Sequence, residues 1–249
     1  MHMPESLNLS KSFKSYFEIV PALTNTLRNE VFRVRHQVYC EELQYESIQA
    51  NKLEIDEYDS HALHLLIRNT QTNEFIGCTR IIRPQSENPS YLLPFEKLCA
   101  EALDRSIINP SQFPRHNIGE VSRLAVISSY RRRRGDSNRA INISEEDYGT
   151  LNQPRFPYIP IALYFGTVEL ARINNINYLF LLTEDRLANH FKKLGADVQV
   201  IGNSIEHHGK RVPSMLNVNQ IISDIRFIFR PLYHQISTDI KKHIALSKE

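Results

Sequence analysis

Ile118-Gly-Glu-Val-Ser-Arg-Leu-Ala-Val-Ile127 reads as a β-strand interrupted by Glu120, Ser122 and Arg123. Burying two opposite charges and a hydroxyl among β-branched neighbours costs several kcal/mol unless each finds a partner. Such a strand is expected at a site, because structure alone seldom asks for that composition. Strict alternation puts Glu120 and Ser122 on one face and Arg123 on the other. All three can line one pocket only if the strand bulges, and the bulge is expected near Val121 to Leu124. It would also free backbone N–H groups there.

Upstream, Glu54-Ile-Asp56-Glu57-Tyr58-Asp59 places acids in a segment with no helical or strand period. Residues 44–60 are polar and acidic and read as a mobile loop over a site, its acids brought in by closure. The two clusters together suggest carboxylates for an amine and arginines for a carboxylate or carbonyl. That is the chemistry of acyl transfer to an amino compound.

Elements follow from periodicity. Tyr16 to Leu23 reads as a strand; Thr26 then caps a helix to about Glu42, with Leu27, Val31, Val34 and Val38 at helical spacing. His61 to Arg68 and Glu74 to Arg83 form a hairpin around Asn69–Asn73, and Leu93 to Leu103 a short helix. Past the 118–127 strand, about 136–157 reads as an insertion without apolar periodicity. Pro160 suits the start of a helix through Ile173 that leads into a strand at Tyr178 to Leu182, a β-α-β unit. Asp185 to Leu194 is a further expected helix, and strands at Val198 to Ile201 and Arg211 to Val218 come next. Val218 to Phe229 and Leu232 to Leu246 are helical pieces separated by Pro231. The fold class is α/β (α+β): a mixed central sheet flanked by helices. A flexible start (1–15), one domain (16–218) and a helical C-terminal extension (219–249) divide the chain.

The 249 residues suffice for one enlarged domain; 41% apolar and 23% charged residues are globular values, and a net charge of +2 does not imply nucleic acid. Cys40, Cys78 and Cys99 lack Cys-x-x-Cys spacing, so neither a disulfide framework nor a zinc set is indicated. A reducing cytoplasm fits, with neither a signal peptide nor a spanning helix.

The order of elements resembles the GNAT-type N-acyltransferases, and more closely their autoinducer (acyl-homoserine lactone) synthase branch. Four motifs in order carry this: Arg35-x-x-x-Tyr39, Asp56-Glu-Tyr-Asp59, Arg80 in Cys78-Thr-Arg-Ile-Ile82, and Glu120-Val-Ser-Arg123. Tyr130 to Arg133 and His207-His-Gly-Lys-Arg-Val-Pro213 bring the chain nearer to N-acyl amino acid synthases and to acyltransferases associated with PEP-CTERM/exosortase systems. The resemblance implies a GNAT-like sheet with an insertion after the fourth core strand.

For chemistry, acyl transfer from a thioester needs a base for the amine proton and donors for the oxyanion. Glu120 is the candidate base, since desolvation raises a carboxylate in an apolar strand; Ser122 and Arg123 support the reacting carbonyl. Asp56 and Asp59 suit an acceptor ammonium, while Arg35, Arg80 and Tyr39 complete the acceptor pocket. Arg131, Arg132, Arg133 and Arg134, with Val126, are the candidate contacts for an acyl donor's phosphopantetheine. Asp136 and the polar stretch from Ser137 depart from the GNAT phosphate loop, which favours acyl carrier protein over coenzyme A.

The expected activity moves a medium or long fatty acyl group from acyl carrier protein to the amine of an amino acid or similar compound. No bound cofactor or metal, and no nucleic acid, is expected; membrane contact by residues 221–242 is open but not predicted. The alternatives are a lactone synthase using S-adenosylmethionine and a non-catalytic binder of acylated carrier or lipid. The acceptor, the acyl length, the oligomeric state and the role of His207 and His208 stay open.

Overall fold

A computed structural model describes residues 5–85, 88, 90–131, 149–150, 153–154, 157–184, 188, 191 and 198–247. Helix α1 (Glu5–Tyr16) leads into β1 (Phe17–Pro21), then α2 (Asn25–Arg35). The hairpin β2 (Ala62–Asn69) and β3 (Phe75–Ile82) comes next, then the short α3 (Pro94–Leu98) and β4 (Ile118–Val126). After the small pair β5 (Gly149–Thr150) and β6 (Gln153–Pro154) come α4 (Tyr158–Ile173), β7 (Tyr178–Thr183), β8 (Gln199–Val200), β9 (Ile205–Glu206) and β10 (Lys210–Asn217). Helices α5 (Val218–Asp224) and α6 (Arg230–Leu246) close the described chain.

The main sheet runs β1-β2-β3-β4-β7-β10-β8, with β9 also on β10. Its pairings are antiparallel except β4 with β7. A parallel neighbour needs a crossover, and α4 supplies it. That helix is buried from Ile159 to Ala171, so it reads as apolar on all sides. At Gly166 a Cβ would lie 2.5 Å from Leu65 Cδ2, so a larger residue there would have to displace the Leu65 side chain where α4 meets the sheet.

Strand β4 departs from a regular ladder twice. Its pairing with β7 runs only from Ile118–Tyr178 to Val121–Leu181, although β4 continues to Val126 along β3. Cys78 pairs with Ala125 and Arg80 with Ser122, so Thr79 alone opposes Arg123 and Leu124. This is the expected bulge, and Arg123 takes φ +53°, the left-handed region that an arginine enters at some strain.

Several expectations are corrected. Thr24, not Thr26, caps α2: its side chain accepts from Leu27 N. The helix does not run regularly to Glu42, because His36–Glu42 winds as a π-helix. Its Tyr39 carbonyl accepts from Tyr45 N and Glu46 N, which turns the chain into the acidic loop. The start is not a loose lead: residues 5–16 are helical and bury Phe13. The expected helix at 93–103 is confined to α3. Pro231 begins α6 where the sequence suggested a break, its fixed φ suiting a first turn. That helix buries Leu232, Tyr233, Ile236 and Ile240 against the domain. Most of the 136–157 insertion and of the 185–194 helix lies outside the described residues.

Candidate active site

Three arginines from three elements meet four acids from one loop. Arg35 ends α2 fully buried, donating through Nε to Glu54 and through Nη1 to Asp59 Oδ1 at 2.6 Å. Arg80 of β3 donates through Nη1 to Asp56 Oδ1 (2.6 Å) and Asp59 Oδ1 (2.7 Å). Arg123, turned by the bulge, donates to Glu46 and Glu54, each at 3.0 Å, and its guanidinium stands 5.3 Å from the centre of the Tyr39 ring. Asp56 and Asp59 also form a capping box on a 3₁₀ turn, which fixes the loop's geometry.

Burial opposes ionisation of Asp59, but Arg35 and Arg80 outweigh it and hold the carboxyl well below its usual range. Glu54 is likewise buried and lowered by Arg35 and Arg123. His64, behind this cluster, is pushed down to about 4 by burial and is neutral at physiological pH.

Glu120 is different. It is buried, Phe95 N donates to its Oε2 at 2.8 Å, and no cation lies within 4 Å among the described residues. Burial pushes its pKa up to about 8, with the Phe95 N–H only partly offsetting. Two residues further along β4, Ser122 Oγ accepts from Arg80 Nε at 3.1 Å.

These groups face a cavity of about 640 Å³ where β4 leaves β7. One wall is polar: Asp56, Arg80, Glu120, Ser122 and Arg123. The other is apolar, including Tyr164, Val168, Leu179, Leu181, Phe191 and Leu216. A ring stack of Tyr45 on His208 (centroids 4.5 Å apart) joins the acidic loop to the β9–β10 turn at the cavity's edge. Among the described residues no cluster of His, Cys, Asp and Glu could hold a metal ion.

Of the residues singled out from sequence, Tyr39, Asp56, Arg80, Glu120, Ser122 and Arg123 line this cavity together. Four others do not. Arg35 and Asp59 sit behind the wall, sealed by their own ion pairs, so they position Arg80 and Asp56 rather than meet a ligand. Val126 is core, paired with Gly77 beyond the bulge. Arg131 is held by Glu42, whose carboxylate also accepts from Ser128 N, and is not on the cavity wall. Arg132, Arg133 and Arg134 lie outside the described residues. The acids do not await closure; they already hold the arginines. Leu179 lines the cavity, while Leu163, Phe165, Leu170 and Phe180 are core.

Sequence reasoning gave Glu46, Glu54, Tyr58 and Lys97 no individual role at the site, although Glu54 and Tyr58 stood in the quoted acidic stretch. The signal for the first two was available, since three arginines drawn into an interior need carboxylates in kind.

Residues 34–138 match the Acetyltransferase (GNAT) domain. No curated protein matches the chain. Among solved structures, TofI in a ternary complex with an inhibitor and MTA is similar at TM-score 0.58 and 17% identity, over 83% of this chain and 95% of that one. BjaI, a CoA-dependent acyl-homoserine lactone synthase solved with SAM and isopentyl-CoA, is similar at 0.54 and 17%, over 92% and 89%. FeeM, an N-acyl amino acid synthase from uncultured soil microbes, is similar at 0.52 and 15%, over 84% and 94%. Residues 34–138 are thus similar to a GNAT acetyltransferase domain, and the chain has the fold seen in acyl-homoserine lactone synthases and an N-acyl amino acid synthase.

Proposed function

We propose that this acyltransferase moves a medium or long fatty acyl group from acyl carrier protein to the amine of an amino acid or related compound. The observation that carries the reading is Glu120: a buried carboxylate on the cavity wall, without a cation partner among the described residues and with proton affinity raised to about 8. A base of that strength can take a proton from an ammonium group near neutral pH. The freed amine attacks the thioester carbonyl, a C–N bond forms, and collapse breaks the C–S bond. The second nitrogen proton leaves with the thiol. Ser122, its oxygen accepting from Arg80, keeps a hydroxyl proton for the developing oxyanion. Backbone groups freed at the β4 bulge are candidates for the same task.

The cavity's apolar wall suits a hydrocarbon chain, and its volume lies in the range of ligand pockets. Carrier protein as donor and a place beside the exosortase-associated acyltransferases rest on the sequence motifs, and a cytoplasmic setting on the cysteine pattern. Among the described residues no helix is long and apolar enough to cross a membrane.

The test is thiol release from acyl carrier protein and from acyl-coenzyme A, with the mixed proteinogenic amino acids and separately with S-adenosylmethionine. Amino-acid-dependent release with an amide product by mass supports the proposal. Release only with S-adenosylmethionine, giving a lactone, replaces it with lactone synthesis; binding of acylated carrier without release under any condition leaves a non-catalytic binder.

A further inference from the structure

The cavity's charges cancel in pairs, with two exceptions. Glu46 pairs with Arg123 at 3.0 Å, Asp56 with Arg80 at 2.6 Å, and Glu184 with Arg211 at 3.6 Å. Among the charged cavity-lining residues, Glu120 and Lys97 alone have no opposite charge within 4 Å among the described residues. The arginines expected to anchor an acceptor's carboxylate are therefore already engaged with the protein's own acids.

Lys97 is set for an anion. Its ammonium stands 5.5 Å from the Tyr58 ring centre and 5.2 Å from that of Tyr91, with the Tyr58 hydroxyl at 3.5 Å. Ring faces steady a cation without satisfying its hydrogens, so the donors not given to the Tyr58 hydroxyl stay available to a carboxylate.

Lys97 is an exposed side chain whose backbone position relative to the base is set by a short, well-anchored helix. Phe95 of α3 donates its N–H to Glu120, and Lys97 lies two residues later in that helix. The Phe95 ring stacks on Phe180 of β7 with centroids 4.5 Å apart. Glu96 accepts from Leu93 N at 2.7 Å and from Arg115 Nη1 and Nη2, each at 2.8 Å. The helix thus presents a proton acceptor's partner and a cation without a counter-charge to one cavity.

We infer that Lys97 is the carboxylate-recognition residue of the acceptor site, so the acceptor is an amino acid whose amine meets Glu120 while its carboxylate meets Lys97. This rests on the proposed acylation, and it narrows the acceptor from an amino acid or related compound to amino acids with a free carboxylate.

The experiment has two arms. In turnover, the acid-to-amide preference is the ratio of kcat/KM for the best amino acid acceptor to that for its primary amide. Lys97→Met is expected to lower this ratio about tenfold, the worth of one charge-assisted hydrogen bond, mostly through KM, and Lys97→Arg to restore part of it. An unchanged ratio in Lys97→Met overturns the assignment. In binding, calorimetry measures the proteinogenic amino acids, and the primary amide of the tightest, against wild type and Lys97→Met. Carboxylate-dependent binding lost in the variant supports Lys97 even if no thiol is released, an outcome that rejects the acylation alone. Equal affinity for acid and amide in wild type, or no binding of any amino acid, overturns the assignment even where acylation of some amine is seen.

Discussion

Glu120 and Asp59 are both buried carboxylates, yet their surroundings send them in opposite directions. Glu120 has one N–H donor and no cation within 4 Å among the described residues, so burial raises it to about 8. If it is the base, kcat/KM rises with pH as the carboxylate ionises, levelling above an apparent pKa near 8. Glu120→Gln keeps the Phe95 hydrogen bond but not the proton acceptor. It is expected to lower kcat about 10²- to 10⁴-fold and to remove that limb of the profile. A variant that retains the limb would point to another base. Asp59 meets Arg35 and Arg80 and is lowered. Asp59→Asn leaves two buried guanidinium groups short of charge. The expected loss is about 3–5 kcal/mol in urea unfolding, against less than about 1 kcal/mol for an exposed pair such as Arg33–Glu30.

At the scale of elements, the bulge in β4 was legible because Glu120, Ser122 and Arg123 could not share a face of a regular strand. The hairpin β2–β3 and the β4-α4-β7 crossover were legible from period and turn residues alone. Helix α1 was not: its polar residues hide one buried anchor, Phe13, whose partners are elsewhere in the chain. The π-helix at His36–Glu42 was not, since the apolar spacing of Val34 and Val38 suits a regular helix and carries no sign that the Tyr39 carbonyl serves two N–H groups of the following loop. The candidate site was legible as a set of residues and illegible as a circuit of partners. The motifs of the family resemblance named Arg35 and Asp59, but only packing shows that they neutralise each other behind the wall. Lys97 carried no signal, because its meaning comes from the pairing of the other cavity cations. Helix α6 was expected as an extension, and its hold on α4 is polar as well as apolar. Glu169 of α4 accepts from Tyr233 (2.6 Å), Ser237 (2.8 Å) and Arg172, and although burial resists it these donors lower it to about 2. Glu169→Ala orphans two α6 hydroxyls. It is expected to cost about 3 kcal/mol and to raise amide exchange in α6 before the main sheet, read by hydrogen-exchange mass spectrometry.

For the whole molecule, these buried groups set how stability varies with pH, each with a sign fixed by the direction of its shift. Glu18, Glu54, Asp59 and Glu169 are lowered in the folded state; their stabilisation is present above their unfolded values near 4 and lost as pH falls through the folded ones. His64, lowered to about 4, resists charging, so it too disfavours the fold as pH drops below about 6.5. Glu120 and Asp239 act oppositely: raised to about 8 and about 6, they favour the fold when protonated, and that contribution fades as pH climbs through those values. Between about pH 4.5 and 6.5 the histidine and carboxylate slopes oppose one another. From about 6.5 to 8 Glu120 remains, and one proton over that interval corresponds to about 2 kcal/mol. In the lower interval two carboxylates outweigh one histidine, so Tm is expected to peak near pH 5, decline gently to about pH 6.5, fall further toward pH 8, and collapse below about pH 4. Glu120→Gln should flatten the fall toward pH 8 and leave the acid collapse in place, both read by calorimetry across the range. A wild-type Tm that rises from pH 6.5 to 8 would show that Glu120 ionises without penalty, and its proposed role as a base poised near neutrality would go with it.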